Sequence, residues 1–375
     1  MKRISILVLV LCASFVSVAW SQQPAGKGSA DWTEFHRLDM VRVNPYEHVL
    51  NVHNAGKLVV KWKFKTGRSV FASPAVVNGV VFVGSEDDNV YALNGSTGAK
   101  LWSYATDSWV RSSPAVANGV VYVGSDDDSV YALNGSTGAK LWSYATGNQV
   151  WSSPTVVDGV VYVGSDNVYA LDASTGALLW SCPTGSYVYS SPAVANGVVY
   201  FGTNDGYLYA LNASTGAELW RVFVSFVFSS PAVVDGVVYI GSYSQDNGYV
   251  YAFNAETGAK LWEFTTPSGS IVFSSPAVAN GVVYIGGGGD LYALNSRTGT
   301  KLWSRGVRSD AVSSPAVANG VVYTGGGFRE FAFNAATGAQ LWTHYDQDTQ
   351  WSSAAVVNGI VYVGGGDNVY AFGLK

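Results

Sequence analysis

Short apolar runs of three to six residues recur along most of the chain, each ended by a turn-forming pair or by a cluster of Gly, Ser and Asp. One stretch shows the pattern. Ala115-Val116-Ala117 is followed by Asn118-Gly119, then Val120-Val121-Tyr122-Val123, then a Gly-Ser-Asp run, then Val130-Tyr131-Ala132-Leu133. Asn-Gly between two apolar runs supplies the positive φ angles of a two-residue hairpin turn, so the first two runs predict a β-hairpin. The third run predicts a third strand. After Ser136-Thr137-Gly138, Leu141-Trp142 marks a fourth. No segment after residue 21 sustains a helical period, and the abundance of Val, Tyr and Trp favours strands.

The pattern repeats. Ser-Ser-Pro-Ala-Val or a close variant sets the register, with prolines at Pro74, Pro114, Pro154, Pro192, Pro231, Pro276 and Pro315 and Ala354 in the eighth place, spaced 38 to 45 residues apart. Four residues after each comes Asn-Gly or Asp-Gly, from Asn78-Gly79 to Asn358-Gly359. Four strands in about 40 residues is the size of a propeller blade. The expected fold is therefore all-β: an eight-bladed β-propeller of four-stranded antiparallel blades. The last unit has three strands, and a lone fourth-strand Trp62 precedes the first unit. Pairing these N- and C-terminal strands would close the ring and remove its exposed edges.

A second motif, Ala-x-Asn/Asp-x-x-Thr-Gly-x-x-x-Trp, occurs seven times. With Trp62 it yields eight equivalent tryptophans: Trp62, Trp102, Trp142, Trp180, Trp220, Trp262, Trp303 and Trp342. Asn/Asp and Thr can bond local backbone in the turn, Gly permits its φ, and the indole is large enough to cover a peptide plane of the next blade. These tryptophans are read as structural docking residues.

This docking motif and its spacing to Ser-Ser-Pro resemble the pyrroloquinoline quinone (PQQ) propeller repeat over residues 58–375. Asp31-Trp32-Thr33-Glu34-Phe35-His36 resembles the lead-in of such proteins. The resemblance implies the propeller fold and two kinds of role. One is that of quinoprotein alcohol dehydrogenases, with PQQ and calcium over the channel. The other is that of the propeller lipoprotein of the outer-membrane barrel-assembly machinery. The chain lacks the adjacent cysteines of the dehydrogenases and their long wall-forming insertions, and no cofactor ligand can be carried over residue by residue. No catalytic residue is assigned, and PQQ with calcium is kept as the alternative to having no cofactor.

Composition narrows the setting. The chain has 375 residues, 43 glycines, 13 tryptophans and a net charge of -5. The acidic balance argues against nucleic acid as partner, and a hydrophobic fraction of 48% argues against disorder. Lys2 and Arg3, the apolar stretch 4–18 and Ala19-Trp20-Ser21 predict a cleaved signal over residues 1–21, with a lead-in at 22–57. The apolar stretch is short for a membrane span, and Leu9-Val10-Leu11 before Cys12 disfavours lipid attachment. Cleavage would leave Cys182 as the only thiol, hence no internal disulfide. The expectation is an exported monomer, periplasmic or secreted, that binds another envelope or extracellular protein or a small ligand.

Comparison between units points to one face. Spacings from proline to turn glycine and from motif Ala to Trp never change. The loops between the second and third strands, and those between blades, do vary in length, and in an up-and-down blade both lie on one face. There the residue before Ser-Ser-Pro (Ala-Ser-Pro in the first unit) is usually aromatic: Phe71, Trp151, Tyr189, Phe228, Phe273 and Trp351, with Arg111 and Val312 as exceptions. Trp109, Tyr187 and Phe226 lie two residues earlier. Packing between blades accounts for such rings and is the favoured reading, while a binding collar at the channel mouth is the functional one. Arg111, Arg308, Asp107 and Asp310 break the apolar pattern and are the candidates for polar specificity. The acidic turns Glu86-Asp87-Asp88 and Asp126-Asp127-Asp128 suit solvated hairpin tips better than calcium. His36, His48, His53 and His344 lack metal-ligand spacing, and a surface or capping role is expected of them; no metal site is predicted.

Overall fold

The computed structural model describes residues 30–37, 40–267, 272–307, 313–345 and 352–375. The expected signal at 1–21 lies outside the described residues. Eight antiparallel sheets follow one another in chain order, seven of them built from consecutive strands. In the second blade these are Ala115–Ala117, Val120–Gly124, Ser129–Asn134 and Lys140–Ala145, from the channel outward. The eighth blade takes Ala355–Val357, Ile360–Gly365 and Asn368–Gly373 from the C-terminus, and Val59–Lys65 from the N-terminus as its outer strand. Trp62 stands opposite Ala371, so the ring closes by strand pairing as expected.

Local chemistry explains each blade. All eight Asn-Gly or Asp-Gly pairs have positive φ at both positions, for example 50° at Asn118 and 78° at Gly119. In the third-to-fourth-strand turn, Asn134 Oδ1 accepts the amides of Ser136 and Thr137, each at 3.0 Å. Every outer strand carries a one-residue register shift beside its Trp. The bulge leaves Leu141 exposed while Trp142 is 8% exposed, turned toward the next blade. There the indole lies flat over Gly176, where a Cβ would sit 2.7 Å from the ring, and donates Nε1–H to the Ala173 carbonyl at 3.0 Å. At the closure Trp342 donates instead to the Leu58 carbonyl, at 3.0 Å. The core is thus a series of interblade clusters of Val, Ala, Tyr and Trp rather than one central core.

The polar and aromatic lead-in reads from the sequence as packing across the ring near the closure, and the structure departs from that in part. Residues 47–58 do pack near the closure, where Glu47 accepts the Gly359 amide and the Leu50 carbonyl accepts Asn319 Nδ2–H. Residues 31–37 and 40–44, however, enter the channel and run around its inner wall. Trp32 exchanges backbone bonds with Val76, the Thr33 carbonyl accepts Val116 N–H, and Glu34 Oε2 accepts Val156 N–H. The Val41 and Arg42 carbonyls accept the amides of Val278 and Val317. Val43–Asn44 pairs in parallel with Ala316–Ala318, and Asn44 donates to the Val356 carbonyl. The three-residue inner strands leave backbone groups facing the channel, and the lead-in satisfies them as an added inner layer. His36, expected at the surface or in a cap, is 1% exposed within this plug.

Candidate functional site

The innermost strands begin just after Ser-Ser-Pro, and this places one serine of every blade on the channel axis. Ser73, Ser113, Ser153, Ser191, Ser230, Ser275, Ser314 and Ser353 form a closed ring. The backbone N–H of each donates to Oγ of the next at 2.8–3.0 Å, and Ser353 N–H returns to Ser73. The preceding serine links its own blade to the next: Ser112 Oγ accepts the Gly124 amide and donates to the Ser152 carbonyl at 3.0 Å. Blade one has Ala72 at that position, whereas the ring serine is present in all eight units.

Above the ring opens an axial well of about 230 Å³, lined by the eight serines, Phe35, Phe71, Arg111, Tyr189, Phe228 and Phe273. Phe35 belongs to the plug. Directly behind it sits Arg42, with its guanidinium 4.4 Å from the Phe35 ring centre. Arg42 is fully buried and, among the described residues, donates only to carbonyls: Phe35, Pro315 at 3.0 Å and Ala354 at 3.2 Å. Pro315 and Ala354 each follow a ring serine, so the positive charge lies one residue below the ring. Burial draws Arg42 down to about 9, still protonated at neutral pH. Burial, reinforced by Arg42, drops His36 to about 3, so its imidazole is neutral.

The variable loops do share one face, as the unit-to-unit spacings predict. Val110 N–H after the outer strand bonds the Ser85 carbonyl of the second-to-third-strand loop, and Thr106 N–H bonds that of Asp88. On this face the candidate residues separate into two sectors. In blades one and two, Arg111 donates to Glu86 and to Asp126, both at 2.9 Å, and lies 4.2 Å from the Trp109 ring centre and 4.7 Å from that of Trp151. Burial lifts Asp126 to about 6 against the pull of Arg111. In blades three to six a chain of aromatic contacts runs from Trp151 to Tyr189, which stacks on Phe228 at 4.9 Å, and on to Phe273. Tyr187 and Phe226 extend it outward and are 44% and 43% exposed. The rings therefore pack against one another between blades and also present a free surface. Arg308, Asp310 and Trp351 lie outside the described residues.

Sequence reasoning missed the serine ring, Phe35, Arg42 and Tyr243, which joins the aromatic chain through Phe226 and Phe273. It also missed Glu330, a fully buried carboxyl in the third strand of blade seven, where the other blades carry Val or Leu. Neither Glu330 oxygen has a hydrogen-bond partner among the described residues, and burial pushes the carboxyl up to about 8. The invariant second serine and the lone carboxyl among aliphatic equivalents were the available signals.

The donor set does not fit a calcium-bound quinone. Asp87 spends its carboxylate on the Gly67 and Asn89 amides and the Tyr91 hydroxyl, and Asp127 on the Asp107 amide and Tyr131. Glu86 and Asp126 are committed to Arg111. Among the described residues no three His, Cys, Asp or Glu side chains gather as a metal site would require.

Known proteins sharpen this picture. No curated protein matches the chain. Among solved structures, BamB from Moraxella catarrhalis superposes with a TM-score of 0.72 at 19% identity, covering 84% of this chain and 100% of that one. A quinohemoprotein alcohol dehydrogenase from Comamonas testosteroni gives 0.80 at 16% identity, covering 93% and 81%. The computationally designed Ika8 protein gives 0.73 at 20% identity, covering 84% and 99%. At these identities the likeness establishes the fold, and a designed protein shares it with an assembly factor and an enzyme. A family profile described as outer membrane protein assembly factor BamB matches residues 47–154, 144–247 and 246–375, and on that match the chain belongs to this family of PQQ-like propellers.

Proposed function

We propose that the protein is an exported, non-enzymatic binding propeller of the cell envelope that works through its loop face. The observation that carries this reading is the asymmetry of the channel. The plug closes it on the turn side, leaving one blind well whose mouth carries exposed Tyr187, Phe226 and Phe273. Exposed aromatics grouped at a concave mouth on a rigid scaffold are the usual basis of recognition. Membership in the assembly-factor family supports an envelope protein as the partner, and loop-length variation confined to the same face supports the choice of surface. The described residues include no helix long and apolar enough to cross a membrane. The resemblance of 1–21 to a secretory signal supports export.

The test compares faces. Affinity capture from the native envelope with the double variant Tyr187→Ala, Phe226→Ala should lose any partner held by the wild type. Leu141→Ala with Leu219→Ala, on the outer strands, should retain it. Equal retention by both would overturn the choice of face. Dye-linked alcohol oxidation after addition of calcium and the quinone would overturn the non-enzymatic reading.

A further inference from the structure

The axial well is electrically polarised along the channel, and this restricts what it can hold. Each ring serine Oγ already accepts an amide from the neighbouring blade, and no ring hydroxyl donates to any acceptor among the described residues. All eight serines are at most 7% exposed, so their hydroxyl hydrogens are donors in search of acceptors inside the well. Below them Arg42 brings a buried positive charge with no carboxylate partner among the described residues. Carbonyls and aromatic faces satisfy its N–H groups but do not cancel its charge, and a cation this deep favours something negative in its surroundings. At the rim the sign reverses. Arg111 is matched by two carboxylates, Glu86 and Asp126, while its Nη2 makes no bond among the described residues. The opposite wall is Tyr189, Phe228 and Phe273.

We infer that the well is a metal-independent site for a small monocarboxylate with a flat apolar body, its carboxylate down on the serine ring and its body against the aromatic wall. This inference rests on the loop-face reading and gives that face a ligand class. The donor ring and Arg42 select a negative head. The aromatic sector selects a flat body by stacking. The carboxylates beside Arg111 act against a second negative group at the mouth, which sets this ligand apart from a polycarboxylate. The roughly 230 Å³ available sets its size near that of a single substituted ring.

Isothermal titration calorimetry on the purified full-length protein, with a chelator present, tests this with benzoate, benzamide and terephthalate as probes. Benzoate should bind at least tenfold more tightly than either of the others. Benzamide keeps the shape and loses the charge, and terephthalate places a second carboxylate toward Glu86 and Asp126. Arg42→Met should weaken benzoate at least tenfold; because Arg42 also anchors the plug, the three-ligand comparison on the wild type stands if that variant does not fold. Equal binding of benzamide, equal or tighter binding of terephthalate, a requirement for calcium, undiminished affinity in folded Arg42→Met, or no benzoate binding would each overturn the inference. Loss of partner capture in the Tyr187, Phe226 double variant alongside absent benzoate binding would sink the ligand class and leave the proposed function intact.

Discussion

The two mouths of the channel are made from the same eight repeats, yet they differ in nearly every respect. On the turn side every hairpin has the same length, every docking turn closes on its Asn or Asp in the same way, and residues 31–37 and 40–44 fill the opening. On the loop side lengths drift, the residue before the serines changes from Phe to Trp to Arg, and the opening stays a blind well. The cause is physical. A docking turn must set its glycine against an indole at contact distance and present the carbonyl of the residue three before it to the indole Nε1–H, so one residue more or less would break both contacts at once. On the other side the interblade loops share one anchor, such as Val110 against Gly84, and departures from the repeat collect in the residues around it.

The contrast predicts that turn-side and loop-side substitutions differ mainly in stability. Trp142→Ala should have the largest effect, about 3–5 kcal/mol lost in denaturant unfolding, because it leaves a void over Gly176 and takes from the Ala173 carbonyl one of its two donors, the other being the Tyr122 hydroxyl. Glu330→Leu comes next with the opposite sign. The folded carboxyl sits near 8 and an unfolded one near 4.5, so stability is full below about pH 4.5 and is lost as pH rises through 8. Leu should therefore raise the melting temperature more at pH 8.5 than at pH 5, by the equivalent of a few kcal/mol at the higher pH. Ser113→Ala, within the ring between the two mouths, strands the Ser73 amide and should cost about 1–3 kcal/mol. Tyr187→Ala, at the loop-side rim, should change stability by no more than about 0.5 kcal/mol while weakening partner capture. A loop-side loss as large as that of Trp142→Ala would break the comparison.

His36 adds an acid limit that belongs to the plug. Its folded value near 3 lies below the usual 6.5, so its contribution is full above about pH 6.5 and is lost as pH falls toward 3. Together with Glu330 this predicts greatest stability between those limits, which melting scans across pH would locate.

How much could be read beforehand depended on whether a residue obeyed the repeat. The strands, the hairpin turns, the eight docking tryptophans and the closure through Trp62 were legible, because each rests on a local period or on a count that must close. Phe71, Arg111, Trp151, Tyr189, Phe228 and Phe273 were placed on the correct face from spacing alone, but their grouping into a charged and an aromatic sector was not visible. The lead-in was misplaced in part. His36 read as a surface or capping residue, and nothing local says that the inner wall of the channel will bury it.

By itself, then, the sequence determined the architecture: period, turn chemistry and indole spacing leave an eightfold closed ring as the arrangement that buries every apolar face. Tertiary structure alone decided which mouth is closed and what charge lies beneath the other. Those outcomes depend on single-copy residues meeting partners as much as 312 positions away, as Arg42 meets Ala354, and such contacts leave no period in the chain to read.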